Sequence, residues 1–363
     1  MRKTTVGTAA VAVALVASFT LTSGGASATT VAAPAAAHST ASGQGLTRTT
    51  LPVLIDPAAD LSANADRVNQ SWYVTAHVTA GGHRYGFLAH YLSAGDARQG
   101  GASSVVSIID EGTGWYTKSE TALPPQAGLS DKRGVDIHTD NITWTGGTKE
   151  MKLRAKVPEG TIDVTFRPHG SVLYNMGTGY FPMFGDAKYP NYEYALPTVD
   201  TSGTLTLNGR TEKVRGESWV DRQWGPLPDV ASGDASWAWM NLNLSNGDRV
   251  SVWNTKYDKQ NNFATVLKPD GTQTVAEATL TPDNSTLWTS PTTGRSYPTH
   301  WKVTIPGEHA ELNVKVYAEN QELVTTGARY EGSASVTGTY DHRPVTGTTY
   351  IEVTGGHAAA TAK

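Results

Sequence analysis

Residues 216–225 read Gly-Glu-Ser-Trp-Val-Asp-Arg-Gln-Trp-Gly, a run that mixes acids, indoles and one guanidinium. In an extended chain successive side chains point to opposite faces. Glu217, Trp219, Asp221 and Gln223 therefore share one face, and Ser218, Val220, Arg222 and Trp224 the other. Two carboxyls and an indole stacked at adjacent same-side positions suit acid–base work. A carboxyl desolvated against an aromatic wall favours its protonated form and becomes a general acid, and an indole face stabilises a developing cation. The same residues also fit a supporting role, with an Asp–Arg pair and two tryptophans bracing a strand end.

Other chemistries leave no trace. No Gly-x-Ser-x-Gly elbow, His-Glu-x-x-His, P-loop or Gly-x-Gly-x-x-Gly occurs. The absence of cysteine excludes a disulfide framework, a thiolate zinc site and a cysteine nucleophile. His77, His83 and His90 are close enough in sequence to meet across a hairpin, but they read as dispersed histidines rather than a metal site. No cofactor or metal is implied. A formal charge of −4 with interspersed signs offers no basic footprint for nucleic acid.

Among 363 residues there are 10 Trp and 15 Tyr against 6 Phe, a bias toward rings with a polar edge, which suit half-polar cavities. At the N-terminus, Arg2 and Lys3 precede an apolar run from Val6 to Phe19, followed by Ala26-Ser27-Ala28. That order is a secretory signal peptide over 1–28, cleaved near Ala28. Residues 29–50, rich in Ala, Ser, Thr and Gly, read as a disordered leader. The expectation is a protein secreted to the extracellular space without a stable membrane anchor. Cleavage makes it two charges more negative, which suits a monomer.

Beyond residue 50 the apolar period is two. Trp72, Val74, Ala76 and Val78 alternate with polar neighbours before Gly81-Gly82, and Met151, Leu153, Ala155 and Val157 before Pro158-Glu159-Gly160. Asn208-Gly209 predicts a type I′ hairpin turn. Leu312, Val314 and Val316 repeat the alternation, as does the stretch from Val345 to Val353. No stretch shows convincing helical periodicity. The reading is all-β, built of antiparallel meanders closed as barrels or packed as sandwiches. Length suggests two β domains, 51–200 and 201–357, joined through the poorly alternating segment 168–200.

The decapeptide closely resembles the signature of the carotenoid 1,2-hydratase and AttH-like family, a group that includes kievitone hydratase and proteins labelled "predicted secreted hydrolase". Ser71-Trp72-Tyr73, Tyr192-Glu193-Tyr194 through Gly203-Thr204-Leu205, and Tyr330-Glu331-Gly332 through Tyr350-Ile351-Glu352-Val353-Thr354-Gly355 agree with it. Together these cover about residues 50–356. The chain departs from the family pattern at Gln70, where an acid is common, and at Gly356, where an aromatic is usual.

The resemblance implies two tandem lipocalin-like antiparallel β-barrels with a site between them. It also implies acid-catalysed addition of water to an alkene of a small hydrophobic, prenylated or terpenoid substrate, a hydro-lyase reaction. Asp221 would donate the proton and Trp219 would shield the cation. Glu352, on one face with Tyr350 and Thr354, would hold or activate the water; the bland alternative is a surface strand residue. Arg222 and Trp224 would support the motif structurally. Glu217, Gln223, Tyr194, Tyr350 and His90 complete the expected substrate-binding set. Trp237 and Trp239 share a face with Asn241 and Asn243, which either lines a half-polar cavity or forms an outer face covered by the partner domain. Two rivals stand beside the hydratase: a cyclase or hydrolase on the same scaffold, and a non-catalytic carrier of a hydrophobic ligand.

Overall fold

Alternating β-branched and aromatic residues favour a pleated, half-buried surface, and the chain follows that preference almost throughout. The structure is a computed structural model that describes residues 54–95, 100–230, 233–325 and 327–355. The expected signal peptide, its cleavage site, the leader and Gly356 lie outside the described residues.

Ten strands position the site: β1 (Gln70–Ala80), β2 (His83–Gly95), β3 (Gly100–Asp110), β4 (Pro190–Leu207), β5 (Arg210–Trp224), β6 (Ser236–Leu244), β7 (Arg249–Lys256), β8 (Gln260–Leu267), β9 (Arg329–Tyr340) and β10 (Arg343–Thr354). The first sheet has 12 strands. Its path runs from Tyr116–Leu123 through β3, β2, β1, β5 and β4 to Gly160–Pro168, Glu150–Val157, Ile142–Gly147 and Val135–His138. The second has 10 strands, running from Gln273–Ala276 through β8, β7, β6, β10 and β9 to Ala310–Val316, His300–Ile305 and Thr279–Pro282. Both are antiparallel and curled into half-barrels, so the all-β, lipocalin-like reading holds. Asn208 and Gly209 both take positive φ, as the type I′ turn requires.

Each sheet wraps its concave face round its own apolar core. Trp72, Phe87, Tyr91, Trp144 and Phe166 fill the first, and Met240, Trp301, Leu312, Tyr330 and Ile351 the second. A third cluster, including Tyr73, Trp219, Trp239 and Trp253, lies between the two sheets. In β1 the residues Trp72 to Val78 of one parity enter the first core, while Ser71, Tyr73 and Thr75 are buried on the other face. Alternation here separates a core face from an inter-sheet face rather than a core from water.

The division between sheets falls between Trp224 and Ser236. Residue 200, where spacing placed the boundary, lies inside β4. That segment lacks plain alternation because residues 168–189 run through turns and two short strands, Leu173–Tyr174 and Tyr180–Pro182, and because β4 then carries an extra residue between Leu196 and Val199, in register with Val220 and Ser218 of β5. Pro197, with no N–H for the ladder, sits within this β-bulge. The bulge inverts facing parity: Tyr194 and Leu196 before it and Val199 and Leu205 after it all enter the first core.

Arg222 clamps the start of this sheet from within. Its Nε donates to the Asp60 carbonyl (3.0 Å), Nη1 to the Gln223 carbonyl (2.8 Å), and Nη2 to Gln70 Oε1 (2.8 Å). The guanidinium also lies 3.9 Å from the centroid of the Trp72 ring and 5.1 Å from that of Trp224. A short helix, α1 (Pro57–Asp60), capped by Asp56, is thereby tied to β1 and β5. Removing a buried donor leaves its acceptors unpaired, at roughly 1–3 kcal/mol each. Arg222→Met should therefore lower unfolding stability by about 3 kcal/mol or more, read from the midpoint of a denaturant titration; an unchanged midpoint would refute the clamp.

Candidate active site

The inter-sheet faces of β1, β2, β4 and β5 meet those of β6, β7 and β10 around a cavity of about 90 Å³. Asp221, Gln223, Glu193 and Tyr73 line it from the first sheet, and Trp237, Trp239, Trp253 and Glu352 from the second. Asp221 sits opposite Tyr73 on β1 and Ala195 on β4. Across the gap, Glu352 sits opposite Trp239 on β6 and Glu331 on β9.

Asp221, Glu352 and Glu331 are each held by a named donor. Trp219 Nε1 donates to Asp221 Oδ1 (2.7 Å), while Asp221 Oδ2 is buried without a protein partner. Trp237 Nε1 donates to Glu352 Oε1 (3.1 Å). Glu331 accepts from Arg329 Nε and from the Tyr73 hydroxyl, both at 2.9 Å. Glu193 Oε2 is buried and has no protein partner. Arg329 Nη2 lies 3.2 Å from His90 Nδ1, and His90 Nε2 lies 2.9 Å from Ser71 Oγ. An arginine nitrogen only donates, so this arrangement assigns His90 the neutral tautomer, with Nε2–H directed at Ser71.

Burial sets the protonation states. It pushes the Asp221 carboxyl well above the usual range; the Trp219 donor pulls it back, and the Glu352 charge raises it further. Glu193 is also pushed well up, by burial and then by the charge of Asp221. Burial and Glu352 raise Glu331 to about 8 against the pull of Arg329 and Tyr73. Glu352 rises through burial, with Arg329 and Trp237 opposing. His90 is driven well below its ordinary value by burial and by Arg329. The cavity thus gathers carboxyls whose burial favours the protonated form beside a neutral imidazole.

The expected site residues divide. Asp221, Gln223, Glu352 and His90 line the cavity. Trp219 lies behind Asp221 and lines a neighbouring pocket of about 250 Å³ together with His77 and Glu217. Glu217 is a correction: its carboxylate pairs with Arg249 Nη2 at 3.1 Å and lies off the cavity. Tyr194 is a second correction: paired opposite Arg222, it faces the first core, where its hydroxyl donates to the Pro57 carbonyl (2.9 Å). Tyr350 shares the inter-sheet face of Glu352 but packs beside His77, with ring centroids 5.5 Å apart, and does not line the cavity. Arg222 and Trp224 lie on the opposite face in the first core, packed with Trp72 and Arg67.

Sequence reasoning missed Glu193, Glu331, Arg329 and Tyr73 as site groups, although three of them lie in stretches that carried the family resemblance. Glu193 and Tyr194 alternate faces of β4, so only one of them can reach the cavity, and pairing opposite Gln223 selects Glu193. Both readings of Trp237 and Trp239 apply at once: their face is covered by the other sheet, and it lines a half-polar cavity. Asn241 on that face bridges the sheets, donating to Thr75 Oγ1 (2.8 Å) and accepting from the Tyr350 amide (2.7 Å). The three sequence-adjacent histidines have separate partners: Glu111 for His77, Asp110 for His83, and Ser71 with Arg329 for His90. No group of three potential metal ligands occurs among the described residues.

The fold and site together define a class: a two-sheet, lipocalin-like β protein with a buried carboxyl-lined cavity between the sheets. A family model described as AttH-like matches residues 50–356, and the chain belongs to that family. Dehydratase asqC from Emericella nidulans is 29% identical over 332 residues, covering 84% of this chain and 89% of the relative. Among solved structures, kievitone hydratase from Nectria haematococca superposes with a TM-score of 0.73 at 22% identity, covering 85% of this chain and 94% of that one. A protein described as an AttH from Nitrosomonas europaea gives 0.72 at 20% identity, covering 85% and 99%. Dehydration and hydration, the activities named for two of these proteins, are the two directions of one hydro-lyase reaction.

The raised carboxyls carry a pH signature. A folded state that binds protons more tightly than the unfolded chain loses stability as pH rises. The Glu331 contribution is fully present below its ordinary value of 4.5 and is lost as pH passes about 8. Asp221 acts in the same direction. Melting temperature should therefore fall from pH 5 to pH 9. Asp221→Asn, whose amide oxygen still accepts from Trp219, should flatten that fall and be more stable than the parent at pH 9. Parallel curves for the two proteins would contradict the assignment.

Proposed function

We propose that the chain is an acid-catalysed hydro-lyase that adds water to, or removes it from, an apolar molecule bearing an alkene or the matching tertiary alcohol. One observation carries this reading: Asp221 is held at Oδ1 by Trp219, and its other oxygen is buried at the wall of an indole-lined cavity without a protein partner. A carboxyl kept neutral by its surroundings donates a proton at neutral pH.

In the hydration direction the Asp221 proton passes to an alkene carbon and leaves a tertiary cation on its neighbour. The faces of Trp237, Trp239 and Trp253 are suited to stabilising that charge. A water oxygen then bonds to the cation and releases its proton to a carboxylate of the cavity, either Glu352 on the second sheet or Glu193 on the first. Dehydration runs the same steps backward, with the departing hydroxyl protonated as water. No further reactant is consumed. The relatives' named activities support this reaction class, and the prenylated or terpenoid nature of the substrate rests on the family resemblance. The N-terminal signal pattern supports action outside the cell.

The test is mass spectrometry of prenylated isoflavonoids and acyclic terpenoids incubated with the protein in ¹⁸O-water. A labelled gain of one water is expected, and Asp221→Asn should cut its rate roughly 10²–10⁴-fold while retaining a cooperative unfolding transition. An unlabelled isomer would indicate a cyclase, and hydrolytic fragments a hydrolase. Unaltered compounds that still quench tryptophan fluorescence would indicate a carrier. Each of those three results would overturn the hydro-lyase reading.

A further inference from the structure

We propose that Glu193 and Asp221 form one acid–base unit, a carboxyl–carboxylate pair that shares a proton across β4 and β5, so that proton and hydroxyl are exchanged on the same face of the substrate's double bond. This deepens the hydro-lyase reading and rests on it for the stereochemistry, though not for the pairing.

The pairing follows from register. Glu193 lies opposite Gln223, and Ala195 lies opposite Asp221. All four side chains share the inter-sheet face, and diagonal neighbours on such a face sit roughly 7–8 Å apart at the backbone, within reach of two carboxyl side chains leaning together. The adjacent rung shows which diagonal is used. Gln223 does not bond to the residue opposite it; its Nε2 donates to Asn191 Oδ1 (3.3 Å), two positions back along β4. The same lean carries Asp221, opposite Ala195, toward Glu193. The alanine methyl leaves that space open.

The unused atoms agree with this direction. Asp221 Oδ2 and Glu193 Oε2 are both buried without a protein donor, in side chains lining the same cavity. A buried carboxylate oxygen without a donor is costly, and one proton held between the two oxygens removes that cost for both. Other charged groups around the cavity are engaged elsewhere. Glu331 takes Arg329 and Tyr73, Glu352 takes Trp237, and neutral His90 takes Ser71. Trp219, packed behind Asp221, supplies a donor to Oδ1 alone.

The chemical consequence concerns geometry. When Asp221 gives its proton to the alkene, Glu193 is a carboxylate on the same wall and takes the proton released by the attacking water. A proton transfer between the paired oxygens then restores the starting state without exchange with solvent. Addition is therefore syn. A reaction using Glu352, on the opposite sheet, would be anti.

Isotope-edited infrared spectroscopy of the full chain tests the pair without any substrate. The protonated-carboxyl band would be followed from pH 5 to pH 10 in the parent, Glu193→Gln and Asp221→Asn. Each amide retains the shape of the acid it replaces. For a shared proton, either substitution should move the midpoint of the remaining carboxyl down by at least about one pH unit, the interaction expected of a coupled pair. If each variant loses only its own band while the other acid titrates unchanged, the pair is refuted. For a compound that gains labelled water, deuterium and oxygen on the same face support the unit and on opposite faces overturn it. If no compound gains water, the hydro-lyase reading suffers and the infrared result alone decides the pair.

Discussion

Everything distinctive about this protein depends on desolvating acids between the convex faces of two curled sheets. A β-sheet with one core face ordinarily gives its other face to water. Here each half-barrel fills its concave side with its own core and presses its outer side against the partner, so residues that would be solvated become interior. The apolar cores make each sheet stable. The polar layer between them is where protonation is decided, because a carboxylate loses hydration there and only a few donors replace it.

That layer is rigid for identifiable reasons. Arg222 gives the acid-bearing strand a fixed end by satisfying carbonyls of α1 and β5 and stacking on Trp72. Asn241 joins the sheets through Thr75 and the Tyr350 amide. Arg329 brings positive charge to the carboxyl cluster and donates to Glu331 and His90, whereas the Asp221 side of the cavity is lined by indoles. The asymmetry matters chemically. Glu331 sits where charge is compensated, whereas Asp221 and Glu193 sit where it is not, and the latter environment keeps a proton available for transfer.

Membership of the AttH-like family agrees with this architecture, since the solved relatives share the two-sheet fold over most of their length at identities near 20%. Fold alone does not assign a reaction. The assignment to water transfer comes from the arrangement of acids and indoles, together with the hydratase and dehydratase activities named for relatives.

The sequence by itself determined the strands, several turns and the facing of one strand. Period-two alternation reflects local backbone geometry, so Trp219, Asp221 and Gln223 could be placed opposite Arg222 and Trp224 from spacing alone, and Asn208-Gly209 announced its turn through its tolerance of positive φ. Asp221 was legible because a single strand supplies both the acid and the indole that holds it. Glu193 was not, because its place beside Asp221 follows from strand pairing, which sets Gln223 opposite Glu193 and Ala195 opposite Asp221, and spacing within one strand does not announce its partner's register. Nor could spacing reveal that the polar face of β1 meets another sheet instead of solvent. Arg329 and Glu331 are near neighbours on β9, but Tyr73 reaches Glu331 from 258 positions away, and only the packing of one sheet on the other brings it within hydrogen-bonding distance and removes the water that would otherwise set their charge.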